Sequence, residues 1–134
     1  MRAILSAIMS ILTSVTIFFQ CLFGIGGLKI GKVVLKLEKD SYPVATETIE
    51  AELYNCASKA IAVSPYGYSL ERFETDEWTL VPLKDSIEIP PATFMLYPLE
   101  QTDRSFYLTD HEGITAGKYR VQASGSAFVE FELV

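Results

Sequence analysis

Short runs in which apolar and polar residues alternate make up most of the chain after residue 31. Successive side chains of a β-strand point to opposite faces, so such runs predict strands with one buried and one solvated face. Residues 32–38 and 49–55 alternate most regularly. Their predicted inward-facing residues are Val33, Leu35, Leu37, Ile49, Ala51 and Leu53. The chain after residue 31 is therefore expected to form sheets, not long helices.

Further apolar runs predict strands at residues 61–64, 68–73, 78–83, 104–108 and 127–134. The polar connection from Glu74 to Glu77 has the length of a hairpin loop and predicts that its two flanking runs pair antiparallel. Residues 86–100 contain three prolines, which predicts an irregular crossover because proline cannot donate to a sheet ladder. The predicted fold is an all-β antiparallel sandwich of about seven to nine short strands, with a small barrel as the alternative.

The most specific local motif lies at residues 114–121, where Gly117 and Tyr119 lead into a predicted strand. In the tyrosine corner of β-sandwiches, a Tyr near the start of the penultimate strand hydrogen-bonds back to the backbone just upstream. Gly117 suits the tight bend before that strand, where a β-carbon is costly. Tyr119 is predicted to be the corner residue; the alternative is an ordinary aromatic residue of a strand.

The segment from Ala3 to Leu28 has no charged residue and is mostly apolar. As a helix, residues 3–23 would be roughly 30 Å long, which matches the hydrocarbon thickness of a bilayer. We therefore expect a signal peptide or membrane anchor over residues 1–28 and a folded domain over residues 29–134.

Three fates of this segment place the domain outside the cytoplasm. An uncleaved anchor is favoured, because the apolar run is long for a signal peptide and no A-x-A-like cleavage site follows it. Lipidation at Cys21 is the second, although Gln20 is bulkier than the residue that usually precedes a lipidated cysteine. Cleavage and release is the third, and an anchor that leaves the domain facing the cytoplasm is the remaining alternative. The expected location is the cell envelope, membrane-anchored or secreted.

The two cysteines, Cys21 and Cys56, are not expected to form a disulfide, because one belongs to the apolar segment and the other to a predicted loop. Cys56 is predicted to be a structural free thiol. The single histidine, His111, lies in a separate turn, so no base is in place to activate a nucleophile. No catalytic residue and no cofactor are therefore assigned, and the protein is not expected to be an enzyme.

The charged residues argue against metal and nucleic-acid partners. The formal net charge is −6, all 17 acidic residues lie at or after Glu38, and lysine and arginine form no cluster that would release counterions from DNA or RNA. No metal-ligand spacing is recognised, and a solvated acidic loop is expected at Asp103, Asp110, His111 and Glu112.

Aromatic residues are the remaining candidates for a binding surface. Alternating aromatic residues in strands are mostly core, and this is expected of most of the set Tyr66, Tyr68, Phe73, Trp78 and Tyr97. Tyr66 and Tyr97 are the best candidates for exposed residues that contact a glycan or peptide.

Several stretches of the chain together resemble a known family. Residues 34–44, 53–61, 68–71, 78–82 and 116–120 are similar to bacterial immunoglobulin-like domains of secreted and cell-envelope proteins. The resemblance covers most of residues 32–134, and it departs from the family at residues 97–101, where a Pro-Gly-Glu turn is common. It implies an extracytoplasmic immunoglobulin-like β-sandwich and transfers no catalytic residue.

The expected function follows from the tether, the sandwich and the missing catalytic set. We expect a non-catalytic binding or assembly module at the bacterial cell envelope, held to the membrane by its N-terminal segment, with a protein or glycan partner and no nucleic acid. The alternative is an inhibitor of an extracytoplasmic enzyme, such as a protease, that acts through end loops like residues 89–93.

Overall fold

The protein is described by a computed structural model, which covers residues 15–24 and 31–134. Ten strands occur in these residues: β1 (Val33–Leu37), β2 (Ser41–Tyr42), β3 (Thr48–Asn55), β4 (Ile61–Val63), β5 (Ser69–Glu74), β6 (Glu77–Leu80), β7 (Phe94–Leu96), β8 (Gln101–Tyr107), β9 (Gly117–Gln122) and β10 (Val129–Leu133). They form a three-stranded sheet in the order β1-β3-β8, a five-stranded sheet in the order β2-β10-β9-β5-β6 and a two-stranded sheet of β4 and β7. Neighbouring strands are antiparallel except β2 and β10, which are parallel.

One apolar core joins the three-stranded and five-stranded sheets. Ile49 and Leu53 of β3 belong to the same buried cluster as Leu70 of β5 and Val121 of β9. Burying each such side chain contributes about 1.5–3 kcal/mol. The mostly antiparallel, all-β architecture is consistent with a β-sandwich, and the inward positions predicted for residues 49–55 are confirmed.

The hairpin predicted around residues 74–77 is confirmed. β5 pairs with β6 so that Phe73 lies opposite Trp78, and only Thr75 and Asp76 connect the strands. Both connecting residues have positive φ, 51° and 62°, as the twist of a two-residue hairpin turn requires. β6 ends at Leu80, short of the predicted Leu83, and Pro82 just beyond it has no N–H for a ladder.

The crossover at residues 86–100 contains one short strand, β7, that pairs with β4. Asn55, which is fully buried at the end of β3, holds this small sheet in place. Its side-chain amide donates to the carbonyls of Lys59 and Leu96, each at 2.9 Å, and its carbonyl accepts from the backbone of Ala57 at 3.0 Å. A single satisfied polar side chain therefore joins the end of β3 to β7 and to the turn that precedes β4.

The last part of the apolar N-terminal segment packs on the domain. Residues 15–19 are helical and continue into a π-helix, Gln20–Gly24. Ile17 and Cys21 are buried in one cluster with Tyr54 and Cys56. No helix within residues 15–24 and 31–134 has the length and apolarity needed to cross a bilayer. The rest of the predicted signal or anchor, residues 1–14 and 25–28, lies outside the described residues.

The prediction that the two cysteines remain apart is wrong. Cys21 and Cys56 form a disulfide, with their Cα atoms 5.8 Å apart, and neither thiol is free. The sequence argument placed Cys21 within a membrane segment distant from the domain. In the structure, the turn that carries Cys21 lies against Tyr54, so the two sulfur atoms meet.

Tyr119 has the geometry of a tyrosine corner. Its ring is fully buried in the core at the start of β9. Its hydroxyl donates to the carbonyl of Thr115 at 2.8 Å and accepts from the Thr115 N–H at 3.2 Å. Gly117 has a φ of 155°, within the range that favours glycine. The hydroxyl therefore ties the turn before β9 to the strand itself.

Replacing Tyr119 with Phe is expected to destabilise the domain by about 1–3 kcal/mol, because the Thr115 N–H and carbonyl both lose their partner while the ring stays in place. Urea unfolding of the wild type and the variant measures the change. Tyr97→Phe is the matched control: Tyr97 is exposed, and we expect a change within about 0.5 kcal/mol. Equal stability of Tyr119→Phe and wild type would show that the corner contributes nothing.

Candidate functional site

Tyr66 and Tyr97, the predicted binding residues, are both exposed, by 51% and 57%, but they do not form one surface. Tyr97 follows Leu96, the last residue of β7, which pairs with Ile61 at the start of β4. Tyr66 follows the opposite end of β4, beyond Val63. The two side chains therefore lie past opposite ends of the two-stranded sheet, and Tyr66 borders a groove.

The groove beside Tyr66, here called the tyrosine groove, has a volume of about 250 Å³. Three tyrosines contribute to its walls: Tyr66, Tyr68 and Tyr107. The crossover loop supplies an apolar wall through Ile87, Ile89 and Pro90, and the carboxylates of Glu88 and Asp110 also line it. The loop proposed from sequence as an inhibitory loop, residues 89–93, thus contributes its first two residues to this groove.

Arg104 positions the loop that carries Tyr66. This arginine lies on the inward row of β8 and is only 3% exposed. Its guanidinium donates to the carbonyl of Ser64 at 2.6 Å and to that of Gly67 at 2.8 Å. The Gly67 N–H in turn donates to Ser64 Oγ at 3.0 Å, and a β-carbon at Gly67 would come within 2.8 Å of that oxygen. The loop is therefore fixed on both sides of Tyr66.

Tyr68, which lines the groove and is half-buried, forms a polar pair with the buried His111. The Tyr68 hydroxyl lies 2.7 Å from His111 Nε2, and His111 Nδ1 lies 3.2 Å from the carbonyl of Val81. A carbonyl only accepts, so Nδ1 carries the proton and Nε2 accepts from the tyrosine in the neutral ring. Burial lowers the pKa of His111, which keeps the imidazole neutral. Both ring nitrogens are thus engaged in holding structure.

The acidic residues grouped in the sequence are divided by the fold. Asp103 is exposed on β8, on the side of the strand opposite the buried Arg104. His111 is buried at the end of the short 3-10 helix Leu108–Asp110. Among residues 15–24 and 31–134, no group of three histidine, cysteine, aspartate or glutamate side chains is arranged to hold a metal ion.

Phe73 and Trp78, expected in the core, lie instead on the outer face of the five-stranded sheet. Their rings are 5.2 Å apart. The Arg120 guanidinium lies 4.5 Å from the Trp78 ring centroid and 4.0 Å from that of Phe128, and Arg120 Nε donates to Glu71 at 2.8 Å. The expectation was wrong because alternation fixes which residues share a face but not which face is inward, and Leu70 and Tyr119 take the inner positions here.

Two features of the site had no clear signal in the sequence. An arginine within a predicted strand is usually solvated. Arg104 is buried instead, because the distant loop of residues 64–67 passes beside it and supplies the carbonyls that accept its hydrogen bonds. The meeting of Ile89 and Tyr107 in one groove depends likewise on the path of the crossover. The one available hint was the position of Arg104 between two outward residues, in phase with the buried Phe106.

Comparison with known proteins identifies the family. A family model described as a bacterial Ig-like domain matches residues 29–130. The chain belongs to this family, which confirms the resemblance seen in the sequence.

The other comparisons add no functional information. No curated protein matches the chain. One similar solved structure is the Pseudomonas fluorescens alkylpurine DNA glycosylase AlkC bound to DNA containing an abasic site analog, with 16% identity and a TM-score of 0.40. The match covers 76% of this chain and only 30% of that chain, and at this level of similarity it carries no argument about fold or function.

The stability of the domain is expected to fall as the pH is lowered below about 6.5, in part because of His111. The folded state holds this ring neutral, so its pKa is lower than in the unfolded chain. Between the two pKa values the unfolded state binds more protons, and the free energy of unfolding therefore decreases with decreasing pH. Urea unfolding at about pH 7.5 and about pH 5 measures the loss.

His111→Asn is the control for this effect, since asparagine can still donate to the Val81 carbonyl but does not titrate. The variant should lose less stability than the wild type over the same pH interval, even if it is less stable at neutral pH. An identical loss in both proteins would contradict the assignment to His111.

Proposed function

We propose that the chain is a non-catalytic binding module with an immunoglobulin-like β-sandwich, located outside the cytoplasm and held at the cell envelope by its N-terminal segment. The observation that carries the proposal is the Cys21–Cys56 disulfide. Disulfides form and persist in oxidising compartments such as the bacterial periplasm or cell surface, and are rare in the cytosol. The charge-free segment that contains Cys21 supplies the targeting signal.

The disulfide and lipidation of Cys21 exclude each other on one molecule. A sulfur atom bound to Cys56 cannot also form the thioether of a lipid anchor. Cys21 is fully buried in a cluster with Tyr54, where its sulfur has no room for an acyl chain. The disulfide-linked form is therefore the one we propose, with lipidation at Cys21 as the competing outcome of the test.

The described residues that had catalytic potential in the sequence are engaged in structure. The Cys56 sulfur is bound in the disulfide, and His111 uses one ring nitrogen on the Val81 carbonyl and the other on Tyr68. General base catalysis needs a nitrogen that can reach a substrate proton, and nucleophilic catalysis by cysteine needs a thiolate. These contacts leave neither residue available for catalysis, which supports a non-catalytic module; the partner that we propose for it is a protein or a glycan.

The intact mass of the full chain from a bacterial membrane fraction tests the proposal, with Cys21→Ala and Cys56→Ala as a matched pair. In the wild type, a thiol reagent applied under denaturing conditions is expected to label neither cysteine before reduction and both after it. Each single variant is expected to expose one reactive thiol, and the two should behave alike because each breaks the same bond.

Lipidation predicts a different result. The wild-type mass would lack residues 1–20 and gain acyl chains, Cys21→Ala would abolish this change, and Cys56→Ala would leave it intact. That outcome, or two free thiols in the unreduced wild type, would contradict the disulfide-linked module.

A further inference from the structure

We propose that the tyrosine groove binds an alkylammonium group, of the kind that a lysine side chain of an extended peptide presents. The inference rests on the proposed binding function and adds a ligand class to it. It is carried by the charge of the groove, by its exposed aromatic rings and by its size.

The lining of the groove is negative. Its two charged residues are Glu88, exposed on the crossover loop, and Asp110, half-buried at the end of the 3-10 helix. No lysine or arginine lines it. A cationic ligand would therefore be attracted by two acidic residues, and it would not have to displace a lysine or arginine from the groove.

Two basic side chains lie nearby, and neither neutralises the groove. Arg104 directs its guanidinium to the Ser64 and Gly67 carbonyls. Burial and, next, the charge of Asp110 raise the pKa of the Tyr68 hydroxyl to about 12, and the influence of Arg104 there is smaller than that of Asp110. Lys84 donates its backbone N–H to the Asp110 carbonyl at 2.8 Å, but it lines a different hollow and is not part of the lining of the tyrosine groove.

The groove also offers aromatic rings that hold no cation. Tyr66 and Tyr107 are 51% and 45% exposed. Among residues 15–24 and 31–134, the rings that pair with an arginine or lysine belong to Phe73, Trp78, Phe106, Tyr119 and Phe128. The outer-face aromatics thus already hold cations from the chain itself, whereas no arginine or lysine of these residues pairs with Tyr66 or Tyr107. These two rings are therefore the ones that we expect to contact a cation from outside.

The size of the groove favours a single side chain over a cofactor. Its volume of about 250 Å³ is below the range of about 300–1,000 Å³ that is typical of small-molecule sites. The aliphatic stem of a lysine can lie along Ile89 and Pro90, which form the apolar wall, while its ammonium reaches the carboxylates. The remainder of a bound peptide would lie across the exposed crossover loop.

Titration of the full chain with the peptide acetyl-Gly-Lys-Gly-amide, followed by NMR of the tyrosine ring protons, tests the inference. We expect saturable shifts of Tyr66 and Tyr107 with a Kd on the order of 1 mM, as suits one anchored side chain. A control peptide with norleucine in place of lysine, which keeps the four-carbon stem and lacks the ammonium, should bind at least about tenfold more weakly, and salt should weaken binding of the lysine peptide.

Asp110→Asn and Glu88→Gln should each reduce affinity for the lysine peptide by roughly 3–10-fold, as expected for loss of one partly exposed charge contact. Asp103→Asn is the matched control, because Asp103 is also a carboxylate near this part of the chain but does not line the groove. It should bind like the wild type.

Equal binding of the norleucine and lysine peptides would overturn the choice of a cation while leaving the groove as a binding site of the proposed module. Absence of saturable shifts with either peptide, or equal loss in Asp103→Asn and Asp110→Asn, would overturn the inference. The peptide titration is independent of the mass and thiol-labelling experiment that tests the envelope proposal. The proposed ligand and the proposed function can therefore be contradicted separately.

Discussion

Burial of two inward-facing rows of side chains, one from the three-stranded and one from the five-stranded sheet, is the constraint on which the rest of the structure depends. Ile49 and Leu53 cannot be covered unless Leu70 and Val121 face them across the core. Once those rows face inward, the alternating positions must face outward. The cluster of Phe73, Trp78 and Arg120 on the outer face is therefore a consequence of the core.

The same constraint produces the tyrosine groove. β8 places Phe106 and Arg104 inward, and the guanidinium of Arg104 reaches the loop that follows β4. That loop and the crossover then carry Tyr66 and Ile89 to the two sides of one concavity. The groove is thus formed by loops, and the sheets hold those loops in position.

The sequence predicted well those features that depend on local period and local turn chemistry. Ile49, Ala51 and Leu53 alternate with charged residues, and the hairpin at residues 74–77 has a short polar connection, so neither needs knowledge of distant residues. The Gly117–Tyr119 motif is also local, since the hydroxyl bonds only four residues back, to Thr115.

Features that depend on distant parts of the chain could not be predicted. The Cys21–Cys56 bridge requires that the apolar segment pack beside Tyr54, and a charge-free run gives no sign of that contact. Trp78 was placed in the core because period alone does not say which of two faces is covered. The exposure of Tyr66 and Tyr97 is confirmed. Their separation depends on how β4 pairs with β7, and the sequence does not show that pairing.

The proposed compartment and the attachment of the N-terminal segment to the domain both depend on the Cys21–Cys56 disulfide. A tryptic peptide map of the full chain, isolated from its native host and digested without reduction, tests this bond. The account predicts that a fragment ending at Lys29 and containing Cys21 is covalently joined to residues 40–59, which contain Cys56, and that reduction separates them. Recovery of the two fragments unlinked before reduction, with Cys56 free, would contradict it.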